Sequence, residues 1–373
     1  MTFPDLYNPP FTFRVHHTCR EFHKKSSDFM DAQTFHFVNG SSPLSVSPHH
    51  ILPQDKRPNL NQPPLLSSVP VIDLMEEPCS LVVDKISKAC EEYGFFQIIN
   101  HGVPHELCDR MLAVLTAFFE LPPQEKAPFL ATDQTQQVKL FNYYVKSDGQ
   151  KKVSMWSECF AHPWHPLDDI LHLLPQNPPQ YREVIVEYGK EIYVLMKRLL
   201  SLISQGLGLE NDCLETKIGE KPAFRAQGNY YPPCPDPELT LGLNVHTDVS
   251  ALTIVRQLEG VTGLQVIKDG NWVQVEPIPN AFVINIGDQI QVLSNGRFKS
   301  VHHRAVTNKT RKRVSIATFY TPDKDTIIGP IRDLIDEQHP PLYWEYRFSE
   351  FLEEFFKQEG TRRMVKETFE LKV

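Results

Sequence analysis

The sequence predicts an α+β fold whose core is a jelly roll, a double-layered antiparallel architecture of short strands. Three patterns support this prediction. Short apolar strands alternate with turns from residue 224 to about residue 320, amphipathic helices precede them, and one amphipathic helix follows. About eight strands fit this segment. The pairs Asp269–Gly270 and Asn295–Gly296 within it are strong hairpin signals.

The part before residue 224 supplies a predicted supporting layer. Val69–Leu74 and Phe95–Ile99 are rich in β-branched and aromatic residues and are predicted strands. Apolar residues recur at helical spacing in three segments, namely after Ser80, after Pro104, and between about residues 179 and 204. We predict that Ser80 caps the first of these helices. We expect these three helices to support the outside of the sheet.

The two ends of the chain differ from its middle. Residues 1–60 are rich in His, Ser and Pro without a sustained period, which predicts poor order. Tyr343–Lys357 is a predicted helix with Phe348, Phe351 and Phe355 on one side, and it can either pack on the barrel or cover its mouth. Four segments are therefore predicted, namely the extension 1–60, the helix and strand region 61–220, the jelly roll 221–325 and the C-terminal helical segment 326–373.

Composition excludes several classes of function. A net charge of −8 argues against nucleic-acid binding, which needs a basic face. No apolar run approaches the roughly 18 residues that a membrane helix needs, and the start does not resemble a signal peptide. The seven cysteines lack a C-x-x-C pattern, which is typical of reduced thiols. We expect a cytoplasmic monomer without nucleic-acid or membrane partners.

One constellation of residues indicates a metal site. His246 and Asp248 are i and i+2 on a predicted strand, so both side chains point to the same face. The same alternation separates the adjacent His302 and His303, so only one of them, His303 by this interpretation, can face the metal. Two imidazoles and one carboxylate on one side of a metal leave its other side open, as in non-haem Fe(II) oxygenases.

A second pair of residues predicts an anchor for a carboxylate. Arg313 and Ser315 are again i and i+2, so both can address one ligand from one strand. A guanidinium offers a planar fork to a carboxylate. An isolated H-x-D pair can arise by chance, and most of the 15 histidines are expected to bind no metal. The combination of His246 and Asp248 with the later His303, Arg313 and Ser315 is far more specific.

These motifs belong to a longer pattern that resembles the plant soluble 2-oxoglutarate- and Fe(II)-dependent dioxygenases, including flavonoid-oxidising, salicylate-hydroxylating and tropane-alkaloid-hydroxylating members. The resemblance spans residues 60 to 360. It rests on Ser-Val-Pro-Val-Ile-Asp-Leu at 68–74, Gly-Phe-Phe-Gln-Ile-Ile-Asn-His-Gly-Val at 94–103, Asn-Tyr-Tyr-Pro-Pro-Cys-Pro at 229–235, His-Thr-Asp at 246–248, Ile-Gly-Asp-Gln at 286–289, Leu-Ser-Asn-Gly at 293–296 and His-Arg at 303–304.

The resemblance implies a double-stranded β-helix that binds Fe(II), uses 2-oxoglutarate and O₂ as co-substrates, and is supported by ascorbate. 2-Oxoglutarate is converted to succinate and CO₂ while a small-molecule substrate is oxidised. By resemblance, iron is held by His246, Asp248 and His303, and 2-oxoglutarate by Arg313, Ser315 and Tyr231. Asn229, on the same strand face as Tyr231, is either a neighbour of this site or a structural residue.

Three further positions are predicted to contact the organic substrate. Phe319 matches a position where flavonoid-oxidising members place an aromatic, and Gln227 stands where they carry a lysine. Ala161 replaces an aromatic, which predicts a wider pocket, and the stretch 161–168 is similar to that of tropane-alkaloid hydroxylases. We expect hydroxylation of a small, largely apolar plant metabolite.

Two other classes remain open at this stage. The chain could be a catalytically idle small-molecule-binding protein on the same scaffold, or a jelly-roll isomerase or hydrolase that uses the triad with zinc. A sensor is free to lose the iron or 2-oxoglutarate residues, but all are present here. His162 and His165 have an H-x-x-H spacing, yet the neighbouring prolines prevent a regular helix, which favours a structural or pocket role.

Overall fold

The computed structural model describes residues 45–58, 68–132, 136–147, 151–164, 169–358 and 365–372. Its α-helices are Cys79–Glu92 (α1), His105–Phe119 (α2), Pro123–Lys126 (α3), Tyr181–Gly206 (α4), Cys213–Ile218 (α5), Asp288–Leu293 (α6) and Phe348–Lys357 (α7). The strands are Val71–Asp73 (β1), Phe95–Ile99 (β2), Lys139–Phe141 (β3), Tyr144–Ser147 (β4), Lys151–Ser154 (β5), Glu158–Pro163 (β6), Ala223–Tyr231 (β7), Leu243–His246 (β8), Leu252–Gln257 (β9), Leu264–Lys268 (β10), Asn271–Gln274 (β11), Phe282–Ile286 (β12), His303–Ala305 (β13), Arg313–Thr321 (β14), Ile327–Ile328 (β15) and Tyr346–Arg347 (β16).

Two sheets form the core. The larger sheet has the strand order β1-β2-β12-β9-β14-β7-β6-β3, and the smaller one has the order β11-β10-β13-β8. All neighbouring strands in both sheets are antiparallel except β1 and β2. Strands β7 to β14 are the eight that the sequence predicted between residue 224 and about residue 320. The α+β jelly roll is therefore confirmed.

Helices α1, α2 and α4 form the supporting layer, as predicted. The apolar side of α2, with Leu107, Met111, Leu115 and Phe118, is buried. This helix lies so close to β7 that a Cβ at Gly228 would come within 2.5 Å of Cδ1 of Leu115. Glycine at this position allows the helix to contact the sheet backbone directly.

The two Asx-Gly pairs have different outcomes. Asp269 and Gly270 both have positive φ and join β10 to β11, so this hairpin is confirmed. Asn295 and Gly296 also have positive φ, but they follow α6, so the predicted hairpin there is wrong. The left-handed conformation at this pair ends a helix instead.

Three helix boundaries also differ from the predictions. Helix α1 follows Pro78 directly, so Ser80 lies inside the first turn and does not cap it. Helix α4 includes Gly206, and Gly208, with a φ of +78°, comes after its end. Helix α7 begins at Phe348 rather than near Tyr343, because the residues just before it pair with β15. In the described part of the chain, no helix is long and apolar enough to cross a membrane.

Candidate active site

Three side chains converge on and next to strands β8 and β13 of the smaller sheet. His246 ends β8, Asp248 follows it, and His303 begins β13, directly opposite His246 in the strand register. Nε2 of each histidine lies 3.6 Å from Oδ1 of Asp248, and the imidazole centroids are 4.1 Å apart. All three residues are buried, and their donor atoms lie within 4.8 Å of one another, so they could hold one metal ion.

Neighbouring groups orient these three side chains. Nδ1 of His246 lies 2.7 Å from the carbonyl oxygen of Asn244, and Nδ1 of His303 lies 3.2 Å from that of Val301. A proton on each Nδ1 would donate to these carbonyls, which leaves both Nε2 lone pairs directed at the shared point. A histidine ligand is commonly held in this way.

The two carboxylate oxygens of Asp248 have different partners. Its Oδ2 accepts hydrogen bonds from Oγ1 of Thr253 at 2.6 Å and from Nδ2 of Asn285 at 2.7 Å. Its Oδ1 faces the two histidines. Burial alone would raise the pKa of Asp248, but His303 and His246, together with the two hydrogen bonds, hold this pKa below its ordinary value. The group is therefore kept as an anion, the form in which it can bind a metal.

The adjacent histidines point to different surroundings. His303 is buried beside Asp248, whereas His302 is half-buried elsewhere, where burial and then the nearby Lys366 lower its pKa. The prediction that only one histidine of the pair faces the metal site agrees with this placement. The expected alternation agrees with this separation, although His302 lies just before β13 rather than within it.

A buried cation lies at one end of β14. Arg313 is 4% exposed, and Gln257 accepts a hydrogen bond from its Nη2 at 2.9 Å. Its Nε has no hydrogen-bond partner, and none of the described carboxylates forms an ion pair with it. An uncompensated buried guanidinium is costly. These surroundings fit an anionic ligand that supplies the missing partner.

Two hydroxyl groups complete this cluster. Tyr231 on β7 is directly opposite Arg313, and its ring centroid lies 5.1 Å from the guanidinium carbon. Burial raises the pKa of Tyr231 to about 12, although Arg313 and Ser315 act in the opposite direction. The phenol therefore stays protonated. Tyr231, Arg313 and Ser315 together offer a planar fork and two hydroxyl groups to one ligand.

A separate chain of hydrogen bonds lies next to this cluster on β7. Nε2 of Gln227 donates to Oδ1 of Asn229 at 2.8 Å, and the Tyr143 hydroxyl donates to Oε1 of Gln227 at 3.0 Å. The Cys159 thiol also lies 3.4 Å from Oδ1 of Asn229. Asn229 therefore has partners on both sides, and its placement fits both of the roles that the sequence left open.

One cavity of about 640 Å³ contains the two clusters. Alternate residues of β7 line one part of it, namely Ala223, Arg225, Gln227, Asn229 and Tyr231. Alternate residues of β14 line the part beside them, namely Arg313, Ser315, Ala317, Phe319 and Thr321. Helix α7 contributes a third, apolar part with Phe348, Leu352, Phe355 and Phe356. Helix α7 therefore lies against the cavity, which agrees with the predicted position over the mouth of the barrel.

The predicted substrate residues are not all in this cavity. Phe319 and Gln227 line it, but Ala161 is not among the lining residues. Ala161 lies directly opposite Gln227 on the next strand, so it faces the same side of the sheet one strand farther out. His162 is buried with its Nδ1 2.8 Å from the carbonyl of Pro163. The other half of the H-x-x-H pair, His165, lies outside the described residues, as does Asp168.

Sequence reasoning missed several residues of the site. Arg225 follows from the same alternation that leads from Tyr231 through Asn229 and Gln227, so a signal for it was present. Thr253 and Asn285, which hold Asp248, are opposite each other on β9 and β12. Their proximity depends on pairing between distant segments, and the sequence carries no local signal for it.

A buried lysine connects the C-terminal segment to the same site. Nζ of Lys366 donates to the carbonyl of Ser300 at 2.7 Å and pairs with Oδ1 of Asp288 at 3.2 Å. Asp288 accepts a hydrogen bond from Thr247 Oγ1 at 3.1 Å, and its own amide donates to the carbonyl of Asp248 at 2.8 Å. Asp288, which Lys366 holds in place, therefore stabilises the loop that connects His246 to Asp248.

A jelly roll with two histidines and one carboxylate in the wall of one cavity has the architecture of a mononuclear non-haem iron oxygenase. The chain belongs to the 2-oxoglutarate- and Fe(II)-dependent oxygenases. Residues 226–322 match the family model of the 2OG-Fe(II) oxygenase superfamily, and residues 69–181 match that of the non-haem dioxygenase in morphine synthesis N-terminal region. The resemblance inferred from the motifs is confirmed, and so are Fe(II) and 2-oxoglutarate.

Relatives of known activity cover nearly the whole described chain. Hyoscyamine 6-dioxygenase of Hyoscyamus niger is 39% identical over 84% of this chain and 93% of its own length. Flavanone 3-dioxygenase 2 of Oryza sativa subsp. japonica is 38% identical over 83% and 90%. A crystal structure of JOX2 in complex with 2OG, Fe and JA is 35% identical with a TM-score of 0.79, covering 89% of this chain and 96% of that one. The protein is therefore an oxidoreductase that acts on a small molecule.

Proposed function

We propose that this protein hydroxylates a small, largely apolar plant metabolite, with 2-oxoglutarate converted to succinate and CO₂. The observation that carries the proposal is that one cavity contains both the triad of His246, Asp248 and His303 and the buried Arg313, which forms no ion pair with a described carboxylate. Named relatives act on flavanones and on hyoscyamine. Their range supports a specialised metabolite as the substrate class of this chain.

The triad is the proposed iron site. Two neutral imidazoles and one carboxylate suit a divalent transition metal and leave room for further ligands on the cavity side. When bound there, Fe(II) supplies the oxygen activation that couples oxidation of 2-oxoglutarate to oxidation of the substrate. The contribution of the chain is to orient the ligands, through Asn244, Val301, Thr253 and Asn285, and to keep Asp248 ionised.

Arg313, Ser315 and Tyr231 are the proposed 2-oxoglutarate residues. The guanidinium fork would bind the carboxylate that points away from the triad, and the two hydroxyl groups would donate to the same carboxylate. This carboxylate would provide the partner that Arg313 Nε lacks among the described residues. Asn229, between this cluster and Gln227, would orient the co-substrate rather than carry its charge.

The remaining cavity is the proposed substrate pocket. Phe319 and the phenylalanines of α7 provide an apolar wall that favours ring contacts and excludes water. Gln227 lies at the boundary between this wall and the co-substrate residues. Ala161 can act on the substrate only through Gln227 or a neighbouring strand, because it does not line the cavity.

We also propose a cytoplasmic monomer that does not bind nucleic acid and is supported by ascorbate. The cysteines Cys79, Cys90, Cys108, Cys159, Cys213 and Cys234 are free thiols in the described part of the chain. This supports a reducing compartment. The net charge of −8 supports the absence of nucleic-acid binding.

The test is release of succinate from 2-oxoglutarate by the purified protein, with and without Fe(II), in the presence of a fractionated plant metabolite extract. We expect iron-dependent succinate together with a product whose mass exceeds that of its precursor by one oxygen atom. Binding without any turnover would favour the idle binding protein instead. Turnover that requires zinc but not 2-oxoglutarate would favour the isomerase or hydrolase.

A further inference from the structure

Arg225 is a further cation in the cavity, and it has no polar partner among the described residues. It lies on β7, lines the cavity and is half-buried. Among the described residues it forms no hydrogen bond and no ion pair with a carboxylate. Arg256, which is fully buried, by contrast pairs with Asp109 and Glu259. A cation that is even partly withdrawn from water usually has such a partner, so its absence at the half-buried Arg225 needs an explanation.

The position of Arg225 separates it from the 2-oxoglutarate cluster. Arg225 and Tyr231 are six residues apart on one strand, which corresponds to about 20 Å. 2-Oxoglutarate is far shorter than this distance. A ligand of Arg225 must therefore be another molecule that occupies the outer part of the cavity.

The groups around Arg225 define the ligand further. Phe319 lies directly opposite on β14, so an apolar ring and a cation occupy the same level of the cavity. Burial lowers the pKa of the Arg225 guanidinium, and the nearby Tyr143 acts in the opposite direction. Asp323, the acidic residue of this outer part, accepts a hydrogen bond from the amide of Asp325 and does not pair with Arg225.

We propose that Arg225 binds a carboxylate on the organic substrate and thereby selects apolar acids over their neutral analogues. A planar guanidinium matches a carboxylate through two parallel hydrogen bonds. Partial burial strengthens this interaction relative to one in water. Phe319 and the aromatic residues of α7 would contact the apolar body of the same molecule. This inference rests on the proposed function, because it assumes that the outer cavity receives the substrate.

The test compares acids with their methyl esters. The probes are phenylpropanoic, phenylpentanoic and cyclohexylbutanoic acids and the corresponding esters. Binding is measured by calorimetry without oxygen, with Fe(II) and saturating 2-oxoglutarate present, so that the Arg313 cluster is already occupied. We expect the wild-type protein to bind at least one acid tighter than its ester by about tenfold or more, as loss of a charge-assisted hydrogen bond implies.

Variants assign this preference to one residue. Arg225→Gln should bind acid and ester alike, and Arg225→Lys should retain part of the preference. Arg332→Gln is the matched control, because Arg332 is an exposed arginine that does not line the cavity. It should behave like the wild type. The proposal is overturned if no acid is preferred by the wild type, or if the preference persists in Arg225→Gln.

Two measurements separate this proposal from the proposed function. Affinity for 2-oxoglutarate should be unchanged in Arg225→Gln, which also shows that the variant is folded. If the wild type bound no 2-oxoglutarate in an iron-dependent manner, the proposed function would fail. The acid and ester comparison can still be made without 2-oxoglutarate, and it would then decide the role of Arg225 separately.

Discussion

The inner and outer ends of the paired strands β7 and β14 face one cavity but differ in burial and in polar partners. At the inner end, Tyr231, Arg313 and Ser315 are 5%, 4% and 2% exposed and form one polar cluster. At the outer end, Arg225 and Phe319 are half-buried, and apolar side chains of α7 lie across the same cavity.

This difference separates the proposed binding of 2-oxoglutarate, which every reaction of the protein requires, from the proposed selection of the organic substrate. The inner cluster fits a carboxylate in one orientation, because a buried guanidinium tolerates little freedom in its partner. The outer end combines a cation with adaptable apolar walls and can therefore discriminate between substrates. Variants at the inner end should consequently affect every reaction of the protein, whereas variants at the outer end should affect only the choice of substrate.

Asp248→Ala should have the largest effect. It removes the anionic member of the proposed iron site and leaves two neutral imidazoles for a dication. We expect iron binding and iron-dependent succinate formation to be lost while the fold is retained, because a buried anion without its metal does not stabilise the protein. Iron content, turnover and far-UV circular dichroism would check this. Full turnover in the variant would contradict the proposed site.

The adjacent histidines provide the next test. His303→Ala should reduce turnover severely, and His302→Ala should have a mild effect, since only His303 lies beside Asp248. The two substitutions are matched in size and sequence position. Succinate formation at saturating 2-oxoglutarate is the measurement. Equal loss in both variants would refute the assignment of the two side chains to different strand faces.

Arg313→Lys should weaken the apparent affinity for 2-oxoglutarate by about tenfold or more, because the charge remains but the planar fork is lost. Arg311→Lys is the control, since Arg311 is exposed and donates to the carbonyl of Gly260. Saturation curves for succinate formation would compare the variants. Identical curves for Arg313→Lys and the wild type would mean that another residue anchors this carboxylate.

The last expected effect is on stability rather than activity, and it concerns pH and β6, the strand next to β7. Burial, followed by Arg225, lowers the pKa of His162 to about 4 despite its contact with Pro163. The unfolded chain binds a proton near pH 6.5 whereas the native state does not, so stability falls as the pH decreases from about 6.5 to about 4, by roughly 2–3 kcal/mol. His162→Gln should reduce the pH dependence of the free energy of unfolding by about this amount in urea unfolding, while the other buried and half-buried histidines still contribute to it. His172→Gln, at an exposed histidine, should leave it unchanged.

Features that depend on one segment were predictable from the sequence. Alternation along extended backbone agrees with the placement of His246 beside Asp248 and of His302 apart from His303, although Asp248 and His302 lie just outside β8 and β13. Helical spacing was sufficient to identify the buried side of α2. In each case the periodic pattern follows directly from backbone geometry, so no knowledge of distant contacts is required.

Features that depend on pairing between distant segments were not predictable. Asn285 and Thr253 hold Asp248 only because β12 and β9 are neighbours in register. Ala161 was expected to line the pocket, but the order of strands places it one strand beyond Gln227. The turn at Asn295 was misassigned for a related reason, because a left-handed pair ends a helix as readily as it joins two strands.

Lys366 has a practical consequence for handling this protein. It is 8% exposed and reaches Asp288 and Ser300 from a segment close to the end of the sequence. A protease cut immediately before residue 365, or a purification tag that replaces the residues from 365 onward, would leave Asp288 buried without its cation, and Asp288 is directly hydrogen-bonded to Thr247 and Asp248 of the proposed iron site. Loss of activity after such a change would then reflect a disturbed metal loop rather than a missing catalytic group.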